Sequence, residues 1–167
     1  MPKLKLISNQ TPDGEFHIIT DEDDVAIVSG FGPVSVLQNR LPNEYQKHLI
    51  ETFFDHPYSL LVDDYYKGNL NSLNIILKQH FGSDFQNSVW KTIQNVAPGK
   101  RITYKQLAEI NQKPRAFRLV GGICKSNRLI LLVPCHRVIK SDGGLGGYLY
   151  GLKLKKSLLD HESRFSN

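Results

Sequence analysis

"ITYKQLAEINQKPRAFRLVGGICKSN", residues 102–127, decides the fold of the second half of the chain. Thr103 has a side chain that can cap a helix running through YKQLAEIN. Pro114, which suits the first turn of a helix, opens a second helical stretch through PRAFRLVGGICKSN. A short turn through Gln112 and Lys113 joins the two stretches, and this pattern predicts a helix-turn-helix.

The second of these helices would be the recognition helix, with Arg115 and Arg118 near its start. Gly121 and Gly122 lie within it, where each costs about 1 kcal/mol of helix stability relative to Ala. A helix accepts such glycines where another helix or a nucleic acid backbone must come close. The sequence leaves both interpretations open.

Two further helices are predicted in this half of the chain. Residues 83–96 begin with Ser83 and Gln86 at the spacing of a capping box, which favours a helix start. The same stretch places three apolar side chains on one face, namely Phe85, Val89 and Ile93. LKLKKSLLDHES, residues 152–163, is predicted as the final helix.

The first half of the chain begins with a predicted sheet. Residues 3–9, 14–21 and 24–31 are short runs rich in β-branched side chains, and turn residues separate them. This spacing is typical of an antiparallel meander of three strands.

Helices are expected after the meander. Residues 43–56 predict a helix because Tyr45, Leu49 and Phe53 are four residues apart and a proline stands on each side of the stretch. A weaker helix is predicted over 58–67, ending at Gly68.

A connector and a change of charge mark the expected domain boundary. The stretch after Gly68 is rich in Asn and Ser and predicts an extended connector up to residue 82. We therefore expect an N-terminal α/β domain over residues 1–82 and a mostly helical domain over residues 83–167. The fold class is α+β, with a winged-helix-like helix-turn-helix in the second domain.

Charge is divided unequally between the two halves. Residues 1–84 hold 6 Lys and Arg against 12 Asp and Glu, whereas residues 85–167 hold 15 against 4. So basic a half indicates a polyanionic partner such as nucleic acid, although a solvated surface with skewed charge gives the same count. No run approaches a membrane span, and Lys3 and Lys5 interrupt any signal-peptide core, so we expect an intracellular, cytoplasmic protein that binds no membrane.

Cys135, within LLVPCHRVIK at residues 131–140, has several interpretations. As a metal ligand it would lack partners, because the sequence has no CxxC or HxxxH motif. As a buried spacer it would leave the polar His136 and Arg137 unexplained. As a nucleophile it needs a thiolate, which these neighbours favour, and Glu162 is the acidic candidate that would orient His136. Alternatively, Glu162 pairs with a lysine or arginine and only anchors the final helix.

Five blocks in this order closely resemble the O6-alkylguanine-DNA alkyltransferase family: ITYKQLA, RLVGGICKSN, PCHRVI, GGLGGYLYG and KKSLLDHE. The resemblance covers residues 83–167 and is weak before them. It implies DNA repair by direct reversal, in which the alkyl group of a flipped-out O6-alkylguanine passes from duplex DNA to a protein cysteine. It implies a monomer that acts once and requires no cofactor.

The resemblance also implies roles for individual residues. Cys135 corresponds to the acceptor, and His136 and Glu162 to the pair that deprotonates it through a water molecule. Asn127 corresponds to the asparagine that ties the recognition helix to the active-site turn. Tyr104 corresponds to the tyrosine that hydrogen-bonds guanine N3 and donates a proton as guanine leaves.

Contacts with DNA and guanine follow from the same resemblance. Arg118 corresponds to the arginine that replaces the flipped base in the stack. The other expected DNA contacts are Tyr104, Arg115, Gly121, Gly122 and Lys125. The main-chain carbonyls of Cys135 and Val138 would accept from the exocyclic amine of guanine. The expected pocket residues are Pro134, Val138, Tyr148, Leu149 and Tyr150.

Three positions depart from the family pattern. Arg128-Leu129-Ile130 stand where many members have prolines, Tyr150 is bulky where some have glycine, and Leu149 replaces a serine. The competing functions are a helix-turn-helix protein that binds lesions without chemistry and a cysteine hydrolase that uses Cys135 and His136. The hydrolase ranks last because adjacent residues rarely face one another correctly.

Overall fold

The computed structural model describes residues 2–78 and 81–166 and groups the chain into two compact units. The first unit comprises Met1–Phe81 with Arg128–Leu132, and the second comprises Gly82–Asn127 with Val133–Asn167. The predicted domain boundary between residues 82 and 83 stays a prediction. In the described residues, helices are too short or too polar to cross a membrane.

A four-stranded sheet forms the centre of the first unit, with the order β3-β2-β1-β4. Strands β1 (Lys3–Thr11), β2 (Gly14–Thr20) and β3 (Ala26–Phe31) pair antiparallel, which confirms the predicted meander. Strand β4 (Leu49–Thr52) adds a parallel edge to β1, so the expected number of three strands is wrong by one. The tight turn between β1 and β2 has Gly14 at φ +110°, a conformation that favours glycine.

The predicted helix over residues 43–56 is wrong. A single 3-10 turn at Asn43–Tyr45 is followed by β4. Leu49 and Phe53 are 62% and 38% exposed. These two apolar side chains therefore do not form the buried face that a helix over this stretch would need. The backbone instead pairs with β1, and Ile50 packs against the core.

The helices of this unit are α1 (Val34–Gln38), which the sequence analysis missed, and α2 (Pro57–Tyr66), which it predicted. Gly68, at φ +108°, ends the second of these helices as expected. The sheet and α1 bury an apolar cluster of seven side chains: Leu4, Leu6, Ile19, Ile27, Val28, Leu37 and Leu41. Part of the predicted connector, residues 79 and 80, lies outside the described residues.

Residues 128–132 are held within the first unit by hydrogen bonds to the main chain. The backbone N–H of Ser29 donates to the carbonyl of Arg128 over 2.8 Å, and its hydroxyl donates to the carbonyl of Ile130 over 2.7 Å. The Arg128 guanidinium donates to the carbonyl of Arg40 at 3.1 Å. Specific hydrogen bonds therefore fix the path of Arg128-Leu129-Ile130, one of the three positions that depart from the pattern of the family it resembles.

The second unit contains helices α3 (Asp84–Gln94), α4 (Tyr104–Ile110), α5 (Phe117–Lys125) and α6 (Leu152–Phe165). A capping box opens α3 at Ser83, as predicted. A capping box also opens α4 at Thr103, which was predicted as the capping residue of that helix. A short parallel ladder pairs β5 (Ile102–Thr103) with β6 (Val138–Ile139).

Helix α5 begins three residues later than predicted. Gln112 adopts φ +61°, and the N–H of Lys113 bonds back to the carbonyl of Ala108 at 3.0 Å, which closes α4 firmly. A further turn, from Lys113 to Ala116, then precedes the helix. Pro114 and Arg115 therefore lie in the turn of the helix-turn-helix and not in its second helix.

Candidate functional site

The acceptor candidate Cys135 opens a buried 3-10 turn, Cys135–Arg137, directly after Pro134. Asn127, only 2% exposed, donates from Nδ2 to the carbonyl of Val133 at 2.8 Å and to Sγ of Cys135 at 3.2 Å. This residue follows the end of α5, so its hydrogen bonds connect the end of that helix to the turn. An N–H donor to sulfur favours the thiolate over the thiol.

His136, Arg137 and Glu162 form a buried network behind the cysteine. Nε2 of His136 lies 2.7 Å from Oε1 of Glu162. Arg137 donates from Nε to Oε2 at 3.0 Å and from Nη2 to Oε1 at 2.8 Å, so it grips the same carboxylate with two N–H groups. Burial opposes ionisation of Glu162, but His136 and Arg137 outweigh it and hold the pKa of this carboxyl below its usual range.

The ionised Glu162 determines the tautomer of His136. A carboxylate can only accept hydrogen bonds, so Nε2 of the imidazole must carry the proton that it donates. Burial lowers the pKa of His136, against the opposing effect of Glu162, and therefore favours the neutral ring. Nδ1 is then an acceptor, and within residues 2–78 and 81–166 it has no hydrogen-bond partner. A buried histidine in this state can take a proton at Nδ1.

The role of Arg137 was missed by the sequence analysis, which considered it only as a neighbouring charge. The alternatives for Glu162 were to orient His136 or to anchor the final helix through a cation. The structure contains both contacts on one carboxylate. In the sequence, the signal for a contact between Arg137 and Glu162 is that Arg137 directly follows His136. In the structure, both residues lie on one 3-10 turn.

A pocket opens beside the cysteine. Its lining residues are Tyr104, Cys124, Lys125, Cys135, Gly147, Tyr148 and Leu149. Four of the predicted contacts therefore lie together with Cys135, whereas Cys124 and Gly147 were not predicted as pocket residues. The remaining predicted pocket residues lie nearby: Pro134 precedes the cysteine, Val138 begins β6, and Tyr150 packs against Tyr148 with ring centroids 6.3 Å apart.

Tyr104 lies at the start of α4 and is half-buried. Burial, with smaller contributions from Cys124 and Cys135, raises its pKa to about 12, so its phenol is protonated at neutral pH. Gly146 adopts φ +71°, and a Cβ there would come within 2.8 Å of the Tyr104 ring. Glycine is therefore required at this position for the tyrosine to reach the pocket.

Four of the six predicted DNA contacts are exposed, whereas Tyr104 and Gly121 are half-buried. Arg115 in the turn and Arg118 in the first turn of α5 are exposed. Phe117 and Leu119, on either side of Arg118, are also exposed and were not singled out from the sequence. Exposed apolar side chains next to an arginine are suited to contact unstacked bases.

The two glycines of α5 have little to pack against. A Cβ on Gly121 would meet the Tyr104 ring at an ordinary 4.0 Å, and a Cβ on Gly122 would meet nothing within 4 Å. Packing inside the protein therefore does not require these glycines. Of the two interpretations left open by the sequence, the close approach of an external molecule is favoured.

Comparison with known proteins identifies the family. The model of the 6-O-methylguanine DNA methyltransferase DNA-binding domain matches residues 84–164. The methylated-DNA–protein-cysteine methyltransferase of Methanosarcina mazei is 36% identical over 123 residues, covering 74% of this chain and 75% of that protein. The chain belongs to the methylated-DNA–protein-cysteine methyltransferase family.

Other members of this methyltransferase family extend the comparison. The Methanosarcina barkeri protein is 44% identical over 101 residues, covering 60% of this chain and 63% of that protein, so the chain spans less than two thirds of this relative. The O6-methylguanine-DNA methyltransferase of Pyrococcus kodakaraensis superposes with a TM-score of 0.75 at 25% identity, covering 95% of this chain and 98% of that structure. The predicted α+β class is thereby confirmed.

Proposed function

We propose that the protein transfers the alkyl group of O6-alkylguanine in duplex DNA to its own Cys135, as a single-turnover methyltransferase. The observation that carries this proposal is the environment of Sγ, which receives an N–H from Asn127 and lies in a pocket that also contains Tyr104. The names of its relatives, methylated-DNA–protein-cysteine methyltransferases, support the same reaction.

The residues can perform the transfer as follows. His136 takes the proton of the Cys135 thiol at Nδ1 through a water molecule, and Glu162 offsets the positive charge that the ring gains. The thiolate attacks the alkyl carbon, an S–C bond forms, and the C–O bond to guanine breaks. Tyr104 donates its phenolic proton to guanine N3, which leaves as neutral guanine. The proton held by His136 then passes through solvent to the Tyr104 phenolate, so both side chains return to their neutral forms. The resulting thioether resists hydrolysis, so each molecule reacts once.

The helix-turn-helix supplies access to the base. Flipping a guanine out of duplex DNA costs a few kcal/mol, and Arg118 would fill the gap left in the stack. Gly121 and Gly122 would allow α5 to lie close to the minor groove, where sequence is read poorly. Arg115 and Lys125 would neutralise phosphates. Such an interface works at any sequence, which a repair protein requires.

Partner, cofactor and location complete the proposal. The partner is duplex DNA containing O6-alkylguanine, and the protein acts as a monomer. The chemistry described above uses protein groups alone, and independence of any cofactor stays a prediction. A cytoplasmic location is supported by the need for a reduced acceptor thiol, since neither Cys124 nor Cys135 is in a disulfide.

Incubation with duplex DNA carrying O6-methylguanine, followed by measurement of the intact protein mass, tests the function. We expect a stable gain of one methyl group per chain and no further turnover. Binding to the DNA without a change in mass would support the lesion-binding alternative. Continued turnover on an ester or amide would support the hydrolase.

A further inference from the structure

Lys155 is a fully buried lysine that the mechanism above does not use. It lies on α6 with an exposed fraction of 0%, whereas Lys153 and Lys156 on the same helix are exposed. Lysine is almost never buried to this extent unless its ammonium group has partners. A specific role for the charge is therefore indicated.

The ammonium group of Lys155 donates to two main-chain carbonyls. Nζ lies 2.6 Å from the oxygen of Val138 and 3.1 Å from the oxygen of Gly147. Both bonds are charge-assisted, which makes them stronger than bonds between neutral groups. One side chain thus connects the start of strand β6 with a loop residue nine positions later in sequence.

Both segments adjoin the candidate acceptor. Val138 directly follows the turn that contains Cys135 and starts β6. Gly147 lines the pocket together with Cys135 and Tyr104. Nζ of Lys155 also lies 5.9 Å from the centroid of the Tyr104 ring. Lys155 is therefore placed behind the pocket wall and touches the backbone of both segments.

We propose that Lys155 is a positioning residue that fixes the Gly147 wall of the pocket against the strand leaving the acceptor turn. It thereby sets how tightly O6-alkylguanine is held against Cys135. This inference rests on the proposed function. A lysine that only stabilised the fold would affect every property of the protein together, whereas a positioning residue affects the binding of the base more than the reactivity of the thiol.

The test compares Lys155→Met with Lys156→Met. Methionine keeps an apolar stem but removes the ammonium group, and the control changes an exposed lysine whose recorded partner is Asp160. Three properties are measured for each protein: the unfolding temperature, the rate of Cys135 alkylation by iodoacetamide, and the concentration dependence of the single-turnover reaction with isolated O6-methylguanine base.

For Lys155→Met we expect the half-saturating concentration of the base to rise by about tenfold or more, the effect of losing one to two hydrogen bonds that hold a binding surface. The iodoacetamide rate at the high-pH plateau, where the thiol is ionised in both proteins, should stay within about twofold of wild type, because a small reagent needs no shaped pocket. Lys156→Met should match wild type in both reactions.

An unchanged half-saturating concentration in a folded Lys155→Met protein would overturn the proposal. Equal losses in the iodoacetamide and base reactions would also overturn it, since they would show a purely structural role. If Lys155→Met fails to fold, Lys155→Gln, which keeps one neutral donor on a shorter stem, is compared in the same way. Failure of wild type to react with O6-methylguanine in any form would instead refute the proposed function itself.

Discussion

Nε2 of His136 and Oε1 of Glu162 are 2.7 Å apart in the interior, and the same carboxylate also receives two N–H groups from Arg137. Glu162 thus orients the imidazole and is itself oriented by a guanidinium. Orientation of a base by a third group is the logic of a catalytic triad. Removing the charge of Glu162 and removing the charge of Arg137 should therefore have different consequences, which can be measured separately.

Glu162→Gln should lower the alkylation rate and shift its pH profile upward. The amide cannot offset the charge that His136 gains, so a higher pH is needed to form the thiolate. The measurement is the single-turnover rate with methylated duplex against pH. An unchanged profile in a folded variant would remove Glu162 from the mechanism.

Arg137→Met is the matched control for that variant. It should cost about 3–5 kcal/mol of unfolding free energy, because a buried carboxylate loses its cationic partner. The contact between Glu162 and His136 remains, so the folded fraction should keep more of its reactivity than Glu162→Gln does. Chemical denaturation and the single-turnover rate, measured on one preparation, separate the two roles. Equal rate losses in both variants would show that the network acts only through stability.

Stability should fall as the pH is lowered below neutrality. The pKa of His136 is lowered by folding from 6.5, and that of Glu162 from 4.5, so both groups favour the folded state in their deprotonated forms. Their contributions are fully present above the unfolded values and are lost as pH falls through the folded ones. Urea unfolding measures the onset of both losses between about pH 7.5, one unit above the unfolded pKa of His136, and about pH 3.5, one unit below the unfolded pKa of Glu162. Glu162→Gln should lack the loss of stability that occurs below about pH 4.5. If that variant lost stability with falling pH just as wild type does, Glu162 would not be the group responsible.

Arg118→Ala should slow the repair of duplex DNA far more than the reaction with isolated O6-methylguanine base. Only the duplex requires a side chain to fill the stack after flipping. Arg115→Ala is the control. Loss of this exposed arginine in the turn should reduce the affinity for duplex DNA and make the slope of log affinity against log salt shallower by about one. Equal losses of Arg118→Ala on both substrates would show that Arg118 supports the fold.

Gly122→Ala should stabilise the protein and weaken its repair of duplex DNA. A Cβ meets nothing within 4 Å there, so Ala should add up to about 1 kcal/mol of helix stability. The same methyl group would project toward the DNA and hinder close approach, while the reaction with the isolated base should be unchanged. Thermal unfolding and DNA affinity are the measurements. Unchanged affinity for duplex would remove Gly122 from the interface.

Local patterns predicted most of the elements that position the site. Capping residues at Ser83 and Thr103 and the sheet meander are determined by neighbours in sequence, so they could be predicted. The helix over residues 43–56 was wrong because pairing with β1 outweighed a four-residue apolar spacing. The contact between Lys155 and Gly147 has no local sequence signal although only eight residues separate them, since only the folded loop brings a carbonyl to that ammonium group.

The identity of the modified residue tests the central claim most directly. Cys124 also lines the pocket, but burial raises the pKa of its thiol, and within residues 2–78 and 81–166 no side chain donates a hydrogen bond to it as Asn127 does to Cys135. After reaction with methylated duplex DNA, peptide mapping should find one methyl group on Cys135 and none on Cys124. Cys135→Ala should remain unmodified, while Cys124→Ala should still react. A methyl group on Cys124, or a modified Cys135→Ala protein, would contradict the account.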